Sequence, residues 1–427
     1  MNFFSLTDPS IVRPFERALR DGIAPDRGLY FPEHIPVLDW NRIEETSMGL
    51  PQLAHEVLKH YVGSCIEEAA LKDLLADALD FDIPLVKLDD GLHVLELFHG
   101  PTAAFKDVGA RIMARLLTKT SQERLTVLVA TSGDTGSAVA QGFLDLPGID
   151  VVILYPSGRI SQIQEQQLTT VGKNVHALEV QGNFDACQAL VKQAFMDREL
   201  MGKRPLTSAN SINIGRWIPQ SIYYAWAYQQ MKQPAHFVVP SGNFGNVAAG
   251  MLAQSMGMPA LPFIAANNAN DGMATYLETG SFEPKLSVPT FSNAMDVGDP
   301  SNRPRIEALC GNNFDVLQTR MQGFTLNDEA TLKAMQFARE QWGYMACPHT
   351  AIALAAANDF RSNSAVHAPL VALATAHPAK FGETVERATG IAPDLPVSLQ
   401  DCMRKKKSST LIPSSYDAFR DYLVTTA

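Results

Sequence analysis

The chain has 427 residues, 46% of them hydrophobic, with 28 glycines and 26 prolines, enough for two or three packed domains with substantial cores. A net charge of −10 leaves no basic face for a nucleic acid, and no run approaches the roughly 20 apolar residues that span a membrane. The start, Met1 to Asp8, lacks the basic stretch and apolar core of a signal peptide. Five scattered cysteines (Cys65, Cys187, Cys310, Cys347, Cys402) suit free thiols in a reducing cytoplasm, and neither they nor the histidines show metal-ligand spacing, so no metal is expected.

In chain order, residues 1 to about 85 read as a mostly helical leader domain. Ser47–His60 and Cys65–Leu79 carry apolar residues at helical intervals, while the Gly/Pro-rich stretch Asp21–Pro36, including Gly28–Pro32, is a loop or short strand because proline cannot donate to a ladder. From about residue 90, short apolar runs alternate with polar turns and amphipathic helices. His93–Leu97 leads to His99–Thr102 and a helix from Asp107; Leu125–Thr131 leads to Ser132–Gly136 and a helix through Val139. His236–Val239 leads to Ser241–Asn246, and Leu370–Thr375 to Ala376–Pro378. Wholly apolar strands alternating with helices imply a parallel sheet covered on both faces, with ligands bound beyond the carboxyl ends of its strands. All four turns are expected at that edge. The basic run Arg404–Lys407 reads as solvated surface.

The turns carry the chemistry. Ser241–Asn246 has two glycines that let backbone N–H groups approach an anion ahead of a helix, a phosphate cradle in kind, although a plain strand-to-helix turn reads equally well. Lys106 stands at a helix start beside Phe105, where an ammonium is opposed and an amine is favoured as a nucleophile. Ser132–Gly136 offers hydroxyl and N–H groups to a carboxylate, except that Asp134 would have to be bonded away or face a positive centre. Asn210–Arg216 packs amides, a hydroxyl and a guanidinium into one turn, fit for a second phosphate or for helix capping. Cys347, next to Pro348 and His349, is read as a buried structural thiol, and the Trp217–Trp226 aromatics as a packed helix face.

The run Leu97–Asp107, with Ala130–Gly136, Asn210–Arg216, Pro240–Asn246 and Thr375–Phe381 in the same order, resembles the signatures of threonine synthases, and Gly28–Pro32 is similar to their bacterial and fungal branch. The resemblance implies an α/β fold-type II pyridoxal-phosphate enzyme, like the tryptophan synthase β chain, with open parallel-rich sheets covered by helices. It implies a leader domain at 1–85, a catalytic domain at 86–390 with a mobile smaller subdomain at about 107–175, and an extension at 391–427 packed on the large domain. Lys106 would carry the cofactor and act in catalysis beside Phe105, with Gly242, Asn243, Phe244, Gly245 and Asn246 on its phosphate, Thr375 on its ring nitrogen and Asp134 near its ring oxygen. Ser132, Gly133 and Thr135 would hold the substrate carboxylate, and Asn210, Ser211 and Arg216 the substrate phosphate. The implied reaction is a β,γ-replacement turning O-phospho-L-homoserine and water into threonine and phosphate, in a cytoplasmic monomer or homodimer. Threonine dehydratase or another fold-type II lyase is the near alternative; a non-catalytic relative would be expected to have lost Lys106 or part of the phosphate loop.

Overall fold

Fourteen strands form where the apolar runs lie, in a computed structural model that describes residues 1–121, 123–131, 133–364 and 368–426. In chain order they are β1 (Asn2–Ser5), β2 (Val12–Pro14), β3 (Tyr30–Pro32), β4 (Leu85–Asp89), β5 (Leu92–Glu96), β6 (Leu125–Ala130) and β7 (Ile149–Pro156). They continue with β8 (Val175–Gln181), β9 (Leu206–Ser208), β10 (His236–Pro240), β11 (Phe263–Asn267), β12 (Met321–Thr325), β13 (Leu370–Ala374) and β14 (Thr410–Pro413). Every residue of β6, β7, β10, β11 and β13 is buried, as expected of parallel strands covered on both faces.

These strands build two large sheets rather than one. The larger has the order β12-β11-β10-β13-β5-β4 and the smaller β14-β8-β7-β6-β9. All pairings in both are parallel except β4 with β5, with Val238 opposite Ala372 and Ala372 opposite Val94 in the larger sheet, and Leu128 opposite Val152 in the smaller. Each sheet with its helices makes a lobe. The turns after β5, β10 and β13 therefore lie on one lobe and the Gly133 turn after β6 on the other, so the single sheet edge expected for all four becomes the two sides of a cleft.

The leader is mostly helical and adds an antiparallel sheet, β2-β1-β3; Phe3 lies opposite Pro32 and Asn2 opposite Pro14, so both prolines sit on partners of the central strand. Three expectations need correction. The smaller lobe runs on past residue 175 through β8 and β9. The C-terminal extension joins that smaller lobe and not the large one: β14 pairs with β8, Leu411 opposite Glu179, and Phe419 and Leu423 of the Tyr416–Thr425 helix are fully buried against it. Lys407 of the basic run bonds Glu165 at 2.6 Å and Glu179 at 2.7 Å, fastening the extension where a solvated side chain was expected.

The leader's role in the architecture is to brace the Asn210–Arg216 turn. Arg305, fully buried, donates to the carbonyls of Tyr30 (3.2 Å), Ser211 (3.2 Å) and Ile212 (2.6 Å) and to Asn302 Oδ1 (2.9 Å), with its guanidinium 4.4 Å from the Trp217 ring. Asn213 Nδ2 reaches back to the Leu19 carbonyl at 2.9 Å, and Phe31 stacks on Trp217.

Candidate functional site

Lys106 opens the Lys106–Thr120 helix at the floor of the cleft. The turn before it is tightly fixed. Ala103 occupies the left-handed region at φ 55°, unusual for a residue with a β-carbon. His377 N donates to the Ala103 carbonyl at 3.0 Å and Phe105 N to the Thr375 carbonyl at 2.9 Å, which brings Lys106 beside Thr375. Asp107 is buried and accepts from Thr102 N at 2.9 Å and Thr102 Oγ1 at 2.6 Å. Burial pushes the Asp107 carboxyl up to about 6 although both Thr102 bonds act against this.

The Lys106 amine sits 5.7 Å from the centre of the Phe105 ring. Burial pulls it down to about 8; the Arg216 and Lys380 cations act in the same direction and the Asp134 carboxylate opposes them. The sequence places this lysine at a helix start and expects a lowered amine; desolvation is the larger cause. At neutral pH such an amine is neutral far more often than a free lysine, which nucleophilic and proton-transfer chemistry requires.

The Ser241–Asn246 turn follows β10 into the Gly245–Ser255 helix, whose positive end faces the turn. Phe244 takes the left-handed conformation at φ 59° while buried, a second strained residue in the site. Tyr223 and Tyr224 both donate their hydroxyls to Asn246 Oδ1, at 2.6 and 2.7 Å, which leaves Asn246 Nδ2 a buried donor with no partner. These two tyrosines, read from sequence as a packed helix face, are thus also the groups that orient Asn246. Asn243 Nδ2 donates to Ser211 Oγ at 2.6 Å and its Oδ1 accepts from Ser301 N at 2.6 Å. Ser211 and Asn243, assigned to different ligands by the sequence reading, therefore share one wall.

Arg216 lies buried against the Lys106 helix, and only glycine at 109 allows it: a β-carbon there would stand 2.9 Å from the Arg216 carbonyl oxygen and 3.2 Å from its Nε. Its Nη1 donates to the Ala209 carbonyl at 2.6 Å, while Nε and the neighbouring Asn210 Oδ1 are buried without partners. Burial lowers the guanidinium to about 10, so it remains a cation at neutral pH.

The difficulty posed by Asp134 resolves in a residue that the sequence reading did not nominate. Asp134 starts its helix beneath β6 and forms an ion pair at 2.9 Å with Lys380, a lysine whose side chain has no exposed surface. Gln164 Nε2 adds a bond to Asp134 Oδ1 at 3.2 Å and packs so closely on Gly133 that a β-carbon there would be 2.5 Å away. Burial alone would raise the Asp134 carboxyl; the Lys380 and Lys106 ammonium groups outweigh it and hold it near 2. Thr135 follows Asp134 in the same helix, whereas Ser132 lies outside the described residues. Cys347 is buried 3.3 Å from Thr350 Oγ1 and 3.9 Å from His349 Nδ1, and burial raises its thiol, so it is no thiolate nucleophile.

A lowered amine, with two buried, unpartnered donors on separate segments and a helix N-terminus behind one of them, suits a carbonyl compound that bears a phosphate. Residues 82–375 match the model of the pyridoxal-phosphate-dependent enzyme family, residues 2–79 that of the threonine synthase N terminus and residues 350–423 that of the threonine synthase C-terminal region. Threonine synthase of Haemophilus influenzae is 42% identical, over 99% of this chain and 100% of that protein.

The chain belongs to the threonine synthase family.

The crystal structure of threonine synthase from Escherichia coli superposes with a TM-score of 0.93 at 39% identity, covering all of both chains. That of pyridoxal-phosphate-bound threonine synthase from Brucella melitensis gives 0.93 at 34% identity over 99% of this chain and 98% of the other. The fold is thus that of the threonine synthase family, a fold-type II pyridoxal-phosphate enzyme, and Lys106 and Asn246 fit the cofactor by lowered basicity, burial and unmet hydrogen-bonding capacity.

Proposed function

We propose that this chain is a threonine synthase, a carbon–oxygen lyase that acts on a phosphate ester, converting O-phospho-L-homoserine and water into L-threonine and phosphate. The observation that carries this reading is the pair of buried, unsatisfied donors on different segments, Asn246 Nδ2 and Arg216 Nε, together with one amine of lowered basicity on which the Arg216 cation acts. A lyase acting on an unphosphorylated amino acid needs only one such group, for the cofactor.

Pyridoxal phosphate, when bound, supplies an electron sink for the carbons next to the substrate's amino group. Lys106 would carry it, Asn246 and the Ser241–Asn246 backbone would hold its phosphate, and the Thr375 hydroxyl would meet its ring nitrogen as a neutral partner. The Lys106 amine would take and return the protons that a β,γ-replacement moves; a group titrating near 8 can do both at neutral pH. Arg216, with Asn210 and Ser211, stabilises the phosphate as it leaves, where fixed positive charge contributes most. Gly133 and Thr135 receive the substrate carboxylate, and the Lys380 bond keeps Asp134 from repelling it. The lobe built on β6–β9 moves against the larger one when substrate binds. The enzyme works in the cytoplasm as a monomer or homodimer.

The decisive assay follows phosphate release and threonine formation from O-phospho-L-homoserine, with and without pyridoxal phosphate. Both products should appear in equal amounts and only with the cofactor. Borohydride reduction followed by peptide mapping should label Lys106, and a label on another lysine would overturn the assignment.

A further inference from the structure

Lys380 is a second amine at the site, and none of the steps above gives it a role toward Lys106. It lies in the Pro378–Phe381 turn after β13, on the larger lobe. Its Nζ spans the cleft to Asp134 Oδ1 at 2.9 Å and also donates to the Thr102 carbonyl at 2.9 Å, an oxygen that accepts from Gln167 Nε2 at 3.1 Å as well. One ammonium thus joins the Gly133–Asp134 turn of the smaller lobe to the Thr102–Asp107 turn that carries Lys106. A buried ion pair is costly to desolvate, so the geometry is informative: removing one partner strands the other charge. The charges around Lys106 are Asp134, Arg216 and Lys380, with His349 from the Pro348–Asn363 helix facing both Asp134 and Lys106. Asp134 is the only carboxylate among them; Asp107, on which Lys380 also acts, is taken up by its two bonds from Thr102. Unpaired, Asp134 would turn to the next cation, Lys106.

We propose that Lys380 is a positioning residue: by engaging Asp134 across the cleft it keeps that carboxylate from pairing with Lys106, so that the Lys106 amine stays free to react. This rests on Lys106 being the cofactor lysine. It predicts that Lys380 acts on Lys106 through Asp134, not merely through its own field.

The test measures how fast the full-length apoprotein captures pyridoxal phosphate, by visible absorbance, between about pH 6 and 10, the range in which a lowered lysine titrates. Borohydride mapping of the wild-type adduct first fixes the captured lysine, so failure of the cofactor assignment is seen separately. Lys380→Met should shift the midpoint of the pH profile upward by about one unit or more, because a freed carboxylate stabilises the Lys106 ammonium. Lys380→Arg, which keeps the charge, should return it most of the way. Because Lys380→Met alone strands a buried charge, Asp134→Asn is compared with the Lys380→Met/Asp134→Asn double variant, in which nothing is left unpaired. A shift between that pair well under the one the single variant shows, no more than the Lys380 ammonium's own field on Lys106, supports the proposal, and Lys380→Gln serves as the single variant if Lys380→Met does not fold. A shift between them as large as that of the single variant, or an unmoved midpoint in the folded single variant, overturns it.

Discussion

Arg216 has one hydrogen bond to a carbonyl, one buried N–H without a partner and a charge that survives burial. Such a group is built to receive an anion, and hydrogen bonds to charged partners contribute about 1.5–3 kcal/mol each. Arg216→Ala should therefore lower kcat/KM for O-phospho-L-homoserine by about ten- to a hundredfold or more while the visible absorbance of bound cofactor persists; Arg216→Lys should recover part, since a point charge cannot reproduce the guanidinium fork. Loss of the cofactor instead would move Arg216 to the cofactor phosphate. His349 offers a second prediction. Burial lowers it from 6.5 to about 4, so the folded protein keeps it neutral where the unfolded chain would protonate it. Its contribution to stability is complete above pH 6.5 and is lost as pH falls toward about 4, to the extent of about 3 kcal/mol at most. His349→Gln should flatten that part of the urea-midpoint profile, and an unaltered acid limb would count against the assignment. At this scale Lys106, Arg216 and the glycine-rich turn were legible because each is an unusual residue type in a local pattern. Lys380 was not, although it stands inside the Thr375–Phe381 segment, because its meaning depends on a carboxylate contributed by the other lobe.

Among elements, the strands that could be read were those that carry their own signal. β13 is an unbroken apolar run and β6 and β10 are nearly so, Thr126 and His236 being the exceptions; all end in polar turns, and their burial on both faces explains why. β14 has four residues, two of its side chains polar or proline, and nothing in Thr410–Pro413 announces a partner; its pairing with β8 is a long-range contact invisible to periodicity. The same blindness merged two sheets into one, since alternation of strand and helix does not say which strands pair. The extension nonetheless contributes to the core of the smaller lobe. Phe419 is fully buried there with Leu423, and the Leu423 carbonyl accepts a bond from buried Arg204. Phe419→Ala should cost about 3–5 kcal/mol in denaturant unfolding, whereas a loss under 1 kcal/mol, about that of a surface change, would mean that the extension is only loosely attached.

For the molecule as a whole, Arg305 joins three regions that are remote in sequence: the leader through Tyr30, the Asn210–Arg216 turn through Ser211 and Ile212, and its own helix through Asn302. Arg305→Met would leave three carbonyls without these donors and should destabilise the protein by about 3 kcal/mol or more. Limited trypsin digestion should then cut the first 85 residues sooner than in the wild type; an unchanged digestion pattern would show that the leader is held by its apolar contacts alone. The order of strands has a different consequence, for biosynthesis. β5 lies between β4 and β13, and β8 between β7 and β14, so each lobe sets an early strand beside one of the last to be made. A chain emerging from the ribosome N-terminus first carries the bare edges of β5 and β8 until residues 370–374 and 410–413 follow. Thr375 and Lys380 come out equally late. The cleft takes shape only after β13 has joined β5, so a chain that stops short of residue 370 would present the bare edge of β5 and lack both Thr375 and Lys380.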